Sequence, residues 1–252
     1  MRRRTLFAAG LALGTPFLGR RAARAEAEAQ PVDVLLVLAV DVSRSIDEEE
    51  ARLQREGYAQ ALRSPAVFDA IAGGMHGAIG LAYVEWSGTE HQHLLLPWTR
   101  IDSPAAAAAA AGRLSAAPLR TGNWTSITAA LGHARQLIAA APFPAGRLVI
   151  DVSGDGANNA GGSTEGARDA ALAQGIVING LPVMKDAQPR LPGLSPTVPL
   201  DQYYREEVAG GFGAFVLPVE DFQGFAPAVR RKLILEIAGA DPGPLAAGRA
   251  LA

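Results

Sequence analysis

Residues 32–45 read VDVLLVLAVDVSRS, an almost unbroken apolar run that halts at Asp41 and then places Ser43 and Ser45 on alternate positions. Continuous rather than alternating hydrophobicity marks a strand covered on both faces, and such strands build parallel sheets. Past the run, side chains of an extended backbone alternate, so Asp41, Ser43 and Ser45 share one side while Val42, Arg44 and Ile46 take the other. In an open α/β sheet the functional crevice lies beyond the carboxyl ends of the strands, and Asp41 sits at such an end.

Working outward, further apolar runs at 78–86, 148–152, 176–183 and 214–219 predict strands of the same kind. Helical stretches fall between them at 47–63, 104–116, 125–141, 163–174 and 221–238. Asp47 and Glu48–Glu50 supply the negative charge a helix N-terminus favours. Ile127, Leu131, Ala134 and Ile138 form the stripe of a helix lying on a sheet. The alanine run 105–111 reads as helix because Ala is the best helix former. Strand and helix in alternation give the fold class: α/β, doubly wound, with a mostly parallel sheet and helices on both faces. One interval departs from it. Only Ser87-Gly88-Thr89-Glu90 separate 78–86 from 91–98, too few for a crossover helix, so these two strands pair antiparallel with the second at the sheet edge. The Pro-rich segment 186–200 reads as a surface loop, and 239–252 as a frayed tail.

The first residues, MRRRTLFAAGLALGTPFLGRRAARAEA, combine a basic start, a short Gly-punctuated apolar stretch and small residues at Ala23 and Ala25. This is the pattern of an export signal over residues 1–25, cleaved near Ala25. Arg3-Arg4-Thr5-Leu6-Phe7 resembles a twin-arginine signal, with the general secretory route as the alternative. The apolar stretch is shorter than the roughly 20 residues a membrane-spanning helix needs, so no stable membrane insertion is expected after cleavage. Without residues 1–25, Lys+Arg falls from 23 to 17 against 25 Asp+Glu, a balance of −8. A chain this acidic is a poor partner for nucleic acid or anionic membranes. The expected location is periplasmic or secreted. There are no cysteines, which excludes disulfides and thiolate metal sites.

Two later segments bring oxygen groups to the same edge of the sheet. GNWTSITAALGHA places Thr125 at a helix start, and RLVIDVSGDGANNAGG ends a buried strand with Asp155-Gly156. Five oxygen-bearing residues from three loops, Asp41, Ser43, Ser45, Thr125 and Asp155, suit a hard cation. Capping of a strand-to-helix junction by the serines is the plainer alternative. On these motifs the chain resembles von Willebrand factor A domains, whose metal-ion-dependent adhesion site (MIDAS) uses D-x-S-x-S after the first strand, a Thr before a helix and Asp-Gly after a later strand. The resemblance spans about residues 31–238. It implies that Asp41, Ser43, Ser45, Thr125 and Asp155 hold Mg²⁺, with Mn²⁺ or Ca²⁺ as alternatives, and that a partner protein completes the coordination with an Asp or Glu carboxylate. SGDGANNAGG, GIVINGLPV, DQYY and KLILEIAG further resemble an exported bacterial family of unknown function, the domain of unknown function 1194 type. Where such domains have G-G-T, this chain has Gly122-Asn123-Trp124-Thr125, so Ser126 and Thr128 compete with Thr125.

Other residues carry less. Asn158 and Asn159 read either as amides lining the rim or as a turn. His91 and His93 share one side of the edge strand without an evident third ligand, which favours a solvated edge over a metal site. Tyr203-Tyr204 read as packing a late helix at the surface. No G-x-S-x-G, G-x-G-x-x-G, G-x-x-x-x-G-K-[ST] or H-E-x-x-H motif occurs, so a binding module is expected rather than an enzyme. The competing class is a metal-dependent hydrolase of phosphate or ester substrates. For it, Asp151 is a general-base candidate, on the same side of its strand as Asp155 but about 13 Å back.

Overall fold

The computed structural model describes residues 30–184 and 198–239. Residues 1–25, expected as an export signal, most of the expected loop 186–200 and the segment beyond Gly239 lie outside the described residues. Five strands order as β3-β2-β1-β4-β5. β1 (Val32–Asp41) is central, flanked by β2 (Ile79–Trp86) and β4 (Ala145–Gly154), with β5 (Ile176–Pro182) beyond β4, all parallel. β3 (Gln92–Ile101) runs antiparallel to β2 at the edge, as the short connection requires.

Alternation along β1 divides the core into two layers. Val34, Leu36, Leu38 and Val40 pack with α1 (Glu48–Arg63), α2 (Pro65–Ala72), α3 (Pro104–Ala116) and α7 (Phe225–Ala238). Val37 and Ala39 pack against the other face with α4 (Ile127–Ala139), α5 (Thr164–Leu172) and α6 (Leu200–Tyr203), which a π turn extends through Val208. Burial on both faces explains why β1 is continuously apolar. α1 begins where the charges place it: Asp47 accepts from Glu50 N, and the Glu50 side chain accepts in return from Asp47 N, a capping box worth about 1 kcal/mol.

Residues 214–219, expected as a strand, form no regular one. They run parallel to β5 through two isolated bridges, Gly180 with Val216 and Val183 with Val219. Gly180 N donates to Phe215 O at 3.0 Å and Leu217 N to Gly180 O at 2.9 Å. Further along, Val219 N donates to Pro182 O at 2.9 Å and Met184 N to Val219 O at 2.7 Å. The rung between these pairs needs an N–H from residue 182, and proline has none. Leu200, the last residue of the expected loop 186–200, instead opens α6. The expected surface packing of Tyr203 and Tyr204 is also corrected, since both are buried. The tight α6 and π turn places the two rings against the sheet layer rather than outside it.

α7 is docked by a buried ionic cluster. Lys232 Nζ lies 2.7 Å from Asp151 Oδ1 on β4 and 2.5 Å from Glu236 Oε1 one turn along. Asn179 Nδ2 donates to the same Glu236 oxygen at 2.9 Å, while Asn179 Oδ1 accepts from Phe215 N at 3.1 Å. One network therefore ties α7 to β4, β5 and the irregular segment. Two carboxylates share one ammonium. Burial, and next the charge of Asp151, push the Glu236 carboxyl up to about 7 despite the pull of Lys232. Folded Glu236 thus holds its proton more tightly than the unfolded chain does, and its contribution to stability is lost as pH rises from about 4.5 to about 7. Glu236→Gln keeps an acceptor for Lys232 and Asn179 but cannot titrate. Urea unfolding at pH 5 and pH 8 will show wild type losing about 2–3 kcal/mol more than this variant over the interval. Equal losses in the two proteins would refute the role given to Glu236.

Candidate metal centre

The carboxyl end of β1 delivers the first oxygens. Asp41 is fully buried, and its Oδ1 accepts from Ser43 N at 2.7 Å, which turns the chain out of the strand. Gln54 from α1 donates to Asp41 O at 3.1 Å. Val42 N donates to Trp86 O at the end of β2, and Gly122 N to Val42 O. These bonds fix the loop after β1 to the segment that carries Thr125.

The loops converge through side chains as well. Ser43 Oγ and Ser45 Oγ are 3.1 Å apart, and Ser45 Oγ donates to Asp155 Oδ1 at 2.6 Å. Ser43, Thr125 and Asp155 are buried, while Ser45 is exposed at the mouth. Gly154, the last residue of β4, is required by this convergence. A Cβ there would sit 2.8 Å from Asp41 Oδ2 and 3.0 Å from Tyr204 Oη, closer than any side chain tolerates.

Thr125 is held by its backbone. Its N–H donates to Asn159 Oδ1 and its carbonyl accepts from Asn159 N, both at 2.8 Å. Its Oγ1 lies 3.6 Å from the Cβ position of Gly156, beside Asp155. Ser126 is occupied otherwise, accepting from Ala129 N as the cap of α4 and donating to Ala160 O. Thr128 bonds Asn158 Oδ1 and Gly162 O. Of the three hydroxyls open to the sequence reading, Thr125 is the one near Gly156, the residue after Asp155. The Asn158 and Asn159 side chains brace the 125–128 segment.

Trp124, just before Thr125, is the one non-glycine residue with positive φ among the described residues, at 66°. A side chain in this left-handed region costs about 1 kcal/mol or more.

Several supports were invisible in the sequence. Tyr204 is buried below Asp41 and Gly154, and among the described residues its Oη has no hydrogen-bond partner. Burial and the charge of Asp41 raise its pKa well above the ordinary phenol value. Tyr58 Oη and Ser153 Oγ, one layer below Asp155, are 3.2 Å apart. A Gly flanked by Ser153 and Asp155 was the available signal for a crowded site floor.

The other candidates stay apart. His91 and His93 stack edge to face at 4.2 Å and are half-buried, not fully solvated as expected, because His91 lies against Gly122 of the neighbouring loop. Burial, then the charges of His93 and Arg120, lower the His91 pKa. Among the described residues no three His, Cys, Asp or Glu side chains form a metal cluster. The two-carboxylate, three-hydroxyl set lies outside that pattern. Asp151, the general-base candidate, is engaged by Lys232 inside the core. No helix among the described residues is long and apolar enough to cross a membrane.

Solved structures share this architecture. Proximal thread matrix protein 1 from the mussel byssus superposes with a TM-score of 0.60 at 16% identity, over 82% of this chain and 48% of that one. A second structure of the mussel protein has a zinc-occupied MIDAS motif and superposes with a TM-score of 0.57 at 17% identity, over 82% and 48% of the two chains. A von Willebrand factor type A protein from Catenulispora acidiphila gives 0.55 at 18% identity, over 82% and 43%. The conserved hypothetical protein BatB from Bacteroides thetaiotaomicron gives 0.53 at 18% identity, over 82% of this chain and 100% of that one. The chain spans about half the length of the mussel protein. At these identities the likeness establishes the fold. No curated protein matches the sequence. The profile of the family described as protein of unknown function (DUF1194) matches residues 31–241, and the chain belongs to that family, with a von Willebrand factor A-like fold.

Proposed function

We propose that the protein is an exported, divalent-metal-dependent protein-binding module of the adhesion or assembly type. The observation that carries this reading is the Ser45–Asp155 contact at 2.6 Å, which gathers loops 110 residues apart around one group of oxygens. Asp41, Ser43, Ser45, Thr125 and Asp155 would hold the ion. All five are hard oxygen donors, which suit Mg²⁺, with Mn²⁺ or Ca²⁺ as alternatives. Oxygen separations of 3.1 and 2.6 Å are close to the roughly 3 Å between adjacent ligands of an octahedral Mg²⁺ with bonds near 2.1 Å. The unpartnered Tyr204 Oη supports the fit, because a buried hydroxyl beside a metal site is satisfied by an ion-bound water. The zinc-occupied motif of the mussel protein supports a divalent resident.

When bound, the ion supplies a positive centre that accepts a carboxylate from another molecule. The chain's own residues do the rest. Three neutral hydroxyls are weak donors, and an ion that meets the two carboxylates through water keeps much of its charge, while exposed Ser45 marks where the site opens to a partner. An Asp or Glu side chain of a partner protein fits that opening. Asp151 cannot serve as a base there while it pairs with Lys232, which disfavours the hydrolase reading.

Calorimetric titration of the purified chain with Mg²⁺ tests the metal. Loss of residues that merely orient metal ligands weakens affinity about 10–100-fold, so Asp155→Asn, which alters a ligand, will weaken it about 100-fold or more. Capture of the native partner will disappear with a chelator and with Asp155→Asn, while circular dichroism stays unchanged. Capture that persists under both treatments would sink the proposal. A rise in melting temperature with Mg²⁺ and no capture would reduce the ion to a structural tie. N-terminal sequencing of the exported protein will read from just after Ala25.

A further inference from the structure

We propose that Trp124 is the partner-facing anchor of this site and that it selects carboxylates flanked by apolar side chains, an inference that rests on the metal-dependent reading above. The position is an outlier. Among the described residues Trp124 alone places a side chain other than glycine's at positive φ, where glycine carries no penalty. The residue is 59% exposed. Among the described residues it makes no ring contact and no hydrogen bond. No hydrogen bond or ring contact of its side chain among the described residues offsets the strain, and strain of this kind collects at functional sites.

The aim is fixed. Thr125, the next residue, is clamped by both backbone bonds to Asn159. On the other side, Asn123 O lies 2.7 Å from where a Cβ on Gly88 would be, so the loop is lodged against the turn between β2 and β3. Trp124 therefore stands beside the β2–β3 turn, in the residue next to Thr125. Arg44 and Arg120, in the loops that carry the serines and Thr125, are exposed, as are Glu48, Glu49 and Glu90, so the surrounding surface has mixed charge. With an ion bound, the site would draw an acidic residue, and a flat aromatic surface beside it would cover the apolar neighbour of that residue. Exposed tryptophans beside polar contacts are frequent anchors of protein interfaces.

The probes are three blocked tripeptides, Gly-Asp-Gly, Leu-Asp-Leu and Leu-Asn-Leu, titrated by NMR into the chain at saturating Mg²⁺. Wild type will bind Leu-Asp-Leu about tenfold more tightly than Gly-Asp-Gly. Leu-Asn-Leu will bind at least tenfold more weakly than Leu-Asp-Leu, because it lacks the carboxylate. Trp124→Gly will bring the Leu-Asp-Leu to Gly-Asp-Gly ratio below about twofold and raise the melting temperature by about 2–4 °C as glycine relieves the backbone. Trp124→Asn, which tolerates the same φ, will lose the ratio as well. Each ratio is taken within one protein, so a change in Mg²⁺ affinity cancels. A ratio that survives both substitutions, or equal binding of Leu-Asn-Leu and Leu-Asp-Leu, overturns the proposal. If wild type binds no Mg²⁺, the metal reading falls and takes this one with it. If Mg²⁺ binds but wild type shows no flank preference, only the role of Trp124 falls.

Discussion

Lys232→Met will destabilise the protein by about 3–5 kcal/mol at pH 7.5, the range for removing one partner of a buried ion cluster. Lys232 has no exposed surface, and it lies between Asp151 and Glu236, both also buried. Methionine fills the volume of the aliphatic stem, so the loss reads the charge rather than a cavity. Two carboxylates then face each other with no cation between them, and the folded state must take up protons to survive. Their folded pKa values rise further, so the loss will be largest above neutral pH and will shrink as pH falls towards 5. Urea unfolding at three pH values checks both the size and the slope. A loss below about 1 kcal/mol that does not change with pH would show that the cluster contributes little. The ammonium also lies 5.5 Å from the centre of the Phe215 ring, so the substitution loosens the irregular segment beside β5 too.

The second large effect concerns Arg55. Its Nη2 contacts Glu85 Oε1 and Oε2 at 2.7 and 2.8 Å, and Nε adds a third bond at 2.9 Å. Arg55 also donates to the carbonyls of Ala117 and Pro118, which lead out of α3 towards Gly122 and Thr125. Both charged partners are buried, and burial raises the Glu85 pKa even against the pull of Arg55. Arg55→Met will cost about 3–5 kcal/mol, because Glu85 is left buried and uncompensated. Arg55→Lys will recover little of it, since a single ammonium cannot reproduce the forked contact. Arg55→Met combined with Glu85→Gln will recover part of the loss in thermal unfolding. Failure of the double variant to recover anything would locate the cost in the 117–118 contacts instead.

The sequence made the sheet legible because burial on two faces writes itself as unbroken apolar runs, and β1, β2, β4 and β5 have them. The antiparallel edge was equally readable from the length of one turn. What escaped depended on contacts distant in the chain. Residues 214–219 carry a strand's composition, but their ladder depends on a donor that Pro182 lacks, and pairing partners are not visible in a linear reading. α2 is only eight residues long and follows α1 after one residue, too short for periodicity to register.

At the site, the strand-end pattern of Asp41, Ser43 and Ser45 needed only alternation to be noticed. Thr125 was ambiguous because three hydroxyls fall within four residues. Asn158, Asn159 and Ala160 separate them in space by engaging Ser126 and Thr128 and clamping the Thr125 backbone. Tyr204 was misread as superficial since nothing local distinguishes a tyrosine under a site from one on a surface. The bond of Asp151 to Lys232 joins two segments that local pattern cannot connect.

Proline in β3, and in β5 beneath the 214–219 segment, limits how other chains can attach. Pro97 lies in β3 where the pairing with β2 shifts register between Leu81 and Tyr83, and Pro182 interrupts the ladder on the opposite side. An incoming extended peptide that sought to prolong the sheet would meet an irregular template at either border. Capture by added strands is thereby discouraged, as is fibrillar self-association.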